Sequence, residues 1–63
     1  MYIVELEEGV WLASWVGDPG RTLDINNAAR YGNIVYARQQ LKDARKYRPF
    51  KKAKVIKIDL LRQ

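Results

Sequence analysis

Hydrophobic and polar positions change their spacing twice along this chain, from the alternation of strands to a helical period and back. At the start, "YIVEL" and "VWLASW" are short runs of β-branched and aromatic residues separated by "EEG". Such runs favour extended backbone, and the glycine between them can take the positive φ of a tight reversal. The pattern predicts a hairpin with strands over roughly 2–6 and 10–15. Tyr2, Val4 and Leu6 then share one face of the first strand, and Trp11, Ala13 and Trp15 one face of the second, because side chains alternate along extended chain. Either face could look inward.

The middle of the chain switches to a helical period. In "DINNAARYG", Asp24 is placed to cap a short helix, Ile25, Ala28 and Ala29 recur at i, i+3 and i+4, and Gly32 follows as a left-handed end. Asn33 then caps a longer helix running through about Tyr47. At 100° per residue, Ile34, Tyr36, Ala37, Gln40, Leu41, Ala44 and Tyr47 share an arc of about 160°. Ala37 and Ala44 lie near the middle of it, so the helix axis can approach a sheet closely while larger side chains grip the flanks. "RPF" ends this helix, since the residue before a proline avoids the α region. Beyond it "AKVIKIDLL" alternates as a strand, with Ile56, Ile58 and Leu60 as the side expected to be buried.

The order β-β-α-α-β predicts an α+β fold, a small and mostly antiparallel sheet with one amphipathic helix packed on one face. The last strand must pair with one of the first two. A place beside the first leaves only short edges, and lysines along an edge strand discourage sticking to further copies.

"WVGDPGRT" raises a different possibility, because glycines followed by a base and a threonine also occur in phosphate-binding loops. A P-loop needs four residues between its glycines and a lysine leading straight into a helix. Here two residues separate Gly17 from Gly20 and the base is Arg21. Pro19 presets φ for a turn and Gly20 supplies the positive φ of a type II reversal, so the stretch is read as a turn.

Composition narrows the chemistry. The 63 residues make one domain, 1–63, and a chain this short buries only about 60% of its unfolded surface, so each core residue counts. No apolar run approaches the roughly 18 residues that cross a bilayer, and "MYIVELEEGV" lacks the basic start of a secretory leader. The chain has no cysteine and no histidine, which removes thiol nucleophiles, imidazole proton transfer and the softer metal sites. The expectation is a cytoplasmic protein with no membrane association. Catalysis would rest on Glu5, Glu7, Glu8, Asp18 and Asp24, and so small a domain offers little room for a cleft to gather them. The chain is therefore read as non-enzymatic, with no cofactor and no small-molecule substrate.

Charge is segregated along the sequence: residues 1–20 carry four acids and no base, whereas 21–63 carry all 12 bases against three acids. Nine bases fall between Arg38 and Lys57 with Asp43 as the lone acid. Of these, Arg38, Lys42, Arg45, Lys46, Arg48, Lys51 and Lys52 are candidates for nonspecific nucleic-acid binding by phosphate neutralisation. Trp11, Trp15, Tyr31 and Phe50 are available to stack on bases if exposed. The plainer alternative is a solvated helix face and a lysine-guarded edge, since no helix-turn-helix, RNP-like or GXXG pattern is present. Trp11 and Trp15 are candidates for a core, a dimer contact or an interaction surface.

The sequence "YIV", "GVWLASWVGDPGRT", "NAARY", an Ala/Leu helix and "KVIKI" together resemble the layout of short uncharacterised proteins encoded by bacterial phages and prophages. That resemblance spans nearly the whole chain and implies a fold and a genomic setting, but no catalytic residues. The expected function is a non-catalytic protein-protein interaction or accessory module binding a partner protein or a second copy. Weak nucleic-acid binding through the basic helix and following loop is the alternative.

Overall fold

The computed structural model describes residues 1–17 and 19–58. It is an α+β domain with β1 (Tyr2–Glu7), β2 (Val10–Leu12), β3 (Arg21–Thr22), a 3-10 turn (Ile25–Asn27), α1 (Ile34–Ala44) and β4 (Lys54–Lys57). The strands form one antiparallel sheet in the order β3-β2-β1-β4. Gly9, at φ 77°, makes the reversal between β1 and β2, as the "EEG" spacer predicts. β4 returns beside β1, with Tyr2 opposite Lys57 and Glu5 opposite Lys54.

α1 packs on the β1 and β4 side of the sheet. Ala37, Leu41 and Ala44 are its buried residues, and they meet Val4, Leu6, Leu12 and Phe50 in the core. The alanine spine permits this close seat, while Asn33 starts the helix by accepting hydrogen bonds from the Val35 and Tyr36 amides at 2.7 and 3.4 Å. Ile3, 1% exposed, points to the opposite face, where register places Ile56, Glu5 and Trp11 with it.

Several expectations need correction. The second strand ends at Leu12 rather than near Trp15. Beyond that point, the place beside β1 is taken by Tyr31, which exchanges two hydrogen bonds with Tyr2 at 2.7 and 2.8 Å, while the Ala29 amide donates to Leu12. This pairing pulls the segment around Ala28 (ψ 140°) into extended geometry. Sheet hydrogen bonds thereby outcompete the weak helix propensity of "NNAAR", leaving a single 3-10 turn capped by Asp24. Gly32 accordingly lies outside the left-handed region and ends no helix.

The long helix stops at Ala44, three residues early. Lys46 and Tyr47 donate to the carbonyls three positions back, Asp43 and Ala44, so the last turn tightens before Pro49 is reached. In β4, Val55 rather than Ile56 packs against the helix-side core; Ile56 is half-buried on the other face, and Leu60 lies outside the described residues. Phe50, a candidate for base stacking, is buried in the core at φ 43°.

Candidate interaction surfaces

The stretch "WVGDPGRT" folds back on itself by close backbone approach. A Cβ at Gly20 would overlap the Trp15 carbonyl oxygen, and one at Gly17 would sit 2.7 Å from the Gly20 Cα. Gly20 is therefore required for proximity rather than for a positive φ, which it does not adopt. Arg21 donates from Nη1 to the Pro19 carbonyl at 2.9 Å, and the Thr22 hydroxyl accepts from the Asp24 amide at 3.1 Å. Both side chains are thus engaged in local turn structure. Trp15 ends up 50% exposed and Val16 fully exposed at the tip of this loop.

Because α1 covers β1 and β4, its flank toward β2 faces the loop across an open groove of about 350 Å3. Tyr36, Gln40, Asp43 and Tyr47 line the helix side, and Ser14 and Pro19 the loop side. Tyr31 forms the end wall, its ring meeting Tyr36 edge-on at 5.4 Å and 77°. Burial, and secondarily the neighbouring Tyr36, hold the Tyr31 phenol above its usual value of 10.0. Tyr36 and Tyr47 are 55% and 57% exposed although they belong to the apolar arc. Asp43, the only charged residue lining the groove among the described residues, accepts from Gln39 Nε2 at 3.1 Å and pairs with Lys46 at 3.5 Å.

The seven basic candidates are all exposed, yet they are divided among three places. Arg38, Lys42 and Arg45 lie on the flank of α1 away from the groove, by their angular positions on the helix. Arg48, Lys51 and Lys52 border a hollow of about 510 Å3 that Glu7 and Glu8 border from the other side. Lys46 pairs with Asp43 near the groove. Lys54 pairs with Glu5 across the sheet at 3.7 Å. Trp11 and Trp15 are not a pair on one strand face: Trp11 is half-buried in β2 on the face away from α1, and Trp15 is in the loop.

Two features of these surfaces were hidden in the sequence. Tyr36 and Tyr47 read as gripping the flanks of the sheet contact because they sit in the helical arc, and only the width of the sheet beneath shows that they overhang it. Phe50 gives no periodic signal at all, being isolated between Pro49 and a lysine pair. Among the described residues no three carboxylates come close enough to hold a metal ion, and no helix is long and apolar enough to cross a membrane. No protein-family model, curated protein or solved structure matches this chain.

Proposed function

We propose that this chain is a non-catalytic interaction module that receives a partner protein, or a second copy of itself, in the groove between α1 and the 14–20 loop. The observation that carries this reading is the overhang of the helix. Ala37, Leu41 and Ala44 are covered by the sheet, whereas Tyr36 and Tyr47 of the same arc stand in water above a groove whose described lining residues include one charge. Exposed tyrosines are suited to such work because they bury a large area for little conformational entropy and keep a polar tip. The phage or prophage setting implied by the layout resemblance belongs to the same proposal.

The nucleic-acid alternative has less support. Arg48, Lys51 and Lys52 share their hollow with Glu7 and Glu8, and Lys46 is paired, so the cations do not form one uninterrupted track for phosphates. A photo-crosslinking amino acid placed at Tyr47, and separately at the exposed Glu8 of the β1–β2 turn, tests the groove in the producing cell. A discrete adduct from position 47 and none from position 8 is expected. Equal labelling from both, or none from 47, overturns the proposal. Sedimentation of the purified chain identifies a second copy as the occupant if a dimer forms and the Tyr36→Ser/Tyr47→Ser variant dissociates it.

A further inference from the structure

A second surface, independent of the tyrosine groove, lies along the outer edge of β4. The Ile58 amide donates to the Met1 carbonyl at 2.9 Å, and Met1 and Ile58 are opposite one another by the register of Tyr2 with Lys57. In an antiparallel ladder, hydrogen-bonded and non-hydrogen-bonded pairs alternate. Ile56 and Lys54 therefore turn their backbone groups toward β1, while Val55 and Lys57 turn theirs outward. Among the described residues β4 is the last strand of the sheet, so these outward groups have no strand beside them there.

The side chains along that edge are of two kinds. Val55 and Ile56 are each half-buried, one on either face, and an added strand would cover what is left of both. Among the described residues the charges outside the existing pair of Lys54 with Glu5 are positive: Lys57 stands exposed on the helix side, and Arg38, Lys42 and Arg45, the last donating from Nη2 to the Phe50 carbonyl at 3.4 Å, occupy the flank of α1 turned away from the groove, toward this edge.

We propose that the β4 edge accepts an extended acidic segment of a partner protein as a fifth strand, in which Asp or Glu on the α1 side alternates with β-branched residues on the other. Backbone pairing with Val55 and Lys57 supplies affinity, and the cations above the edge supply the choice of partner. The same lysines disfavour a second copy, whose own β4 would bring like charge against like.

The test uses the full chain and a capped octapeptide of alternating Glu and Val at low salt. Expected are saturable binding, slowed amide hydrogen exchange at Val55 and Lys57, and loss of both when alternate peptide amides on the pairing side are N-methylated. Arg38→Glu and Lys57→Glu should each weaken binding about fivefold or more, whereas Tyr36→Ser/Tyr47→Ser should leave it unchanged, separating this edge from the groove. The proposal is overturned if the peptide fails to bind, if exchange at Val55 and Lys57 does not change at saturation, or if the N-methylated peptide binds equally. It is overturned as well if an oligoribonucleotide binds in a manner that Arg38→Glu and Lys57→Glu abolish while the peptide does not bind, which would make the surface a phosphate site.

Discussion

Phe50 combines two features that oppose one another, and separating them is a direct check of the fold. Its side chain is 6% exposed in the core cluster, and its backbone is at φ 43°, where an L-residue with a Cβ loses roughly 1–2 kcal/mol. Truncating a buried phenylalanine to alanine costs about 3–5 kcal/mol. A chain of 63 residues has a total stability of roughly 3–9 kcal/mol, so Phe50→Ala should leave a domain partly unfolded at room temperature. Phe50→Gly loses the same ring but relieves the backbone. In an ordinary position glycine is less stable than alanine by about 0.5–1 kcal/mol; here the order should invert, with Phe50→Gly more stable by about 1 kcal/mol. Urea melts followed by circular dichroism measure both steps, and an excluded osmolyte that strengthens burial restores a folded baseline for the weaker variant. A cost below about 1 kcal/mol for Phe50→Ala would remove the ring from the core. Alanine more stable than glycine would mean that the left-handed backbone is wrong.

Three further outcomes follow from the same geometry. Gly20→Ala should cost about 2 kcal/mol or more in a thermal melt, because the new methyl overlaps the Trp15 carbonyl, whereas Gly32→Ala, with open space and an ordinary backbone, should be neutral or stabilising by about 0.4–1 kcal/mol. Asn33→Ala should lose about 1 kcal/mol with its cap, and Asn33→Asp, beside a first turn that has no acid, should gain about 0.3–1 kcal/mol that salt diminishes. The raised Tyr31 phenol holds its proton more tightly folded than unfolded, so its contribution to stability is present below pH 10 and is lost as pH rises through the folded value. Tyr31→Phe should flatten that alkaline decline in denaturation midpoints, and phenolate absorbance should show one tyrosine titrating late.

The elements legible in the sequence are those stabilised by contacts close in the chain. The Gly9 reversal, the Asn33 cap and the Ala37, Leu41 and Ala44 spine are all local patterns, and each is where its spacing puts it. The misread elements depend on contacts made across the sheet. Nothing within "NAARYG" says that Tyr31 will pair with Tyr2, yet those two hydrogen bonds decide that the segment is extended. The same competition shortens β2, since Tyr31 occupies the space that a longer second strand would need. β3 is invisible for a related reason: two residues, Arg21 and Thr22, become a strand only because Trp11 and Leu12 are opposite them.

Surface chemistry follows from one mismatch of widths. The apolar arc of α1 is broad, but the buried residues Ala37, Leu41 and Ala44 are confined to its middle and one side. Placing the helix over β1 and β4 rather than over β2 leaves the tyrosine flank without a sheet beneath it and turns the arginine and lysine flank toward the open edge. Had the helix been centred on β1 and β2, Tyr36 and Tyr47 would cover Leu12 and Ala13, and the groove would close. A substitution that shifts the helix from its seat should therefore act on both surfaces together. Enlarging Ala44 to leucine does this, because the added bulk at the buried contact forces the axis away or sideways at a cost of about 1–3 kcal/mol. If Ala44→Leu leaves crosslinking at Tyr47 and peptide binding at β4 both unchanged, the seating of α1 does not set what either surface can hold.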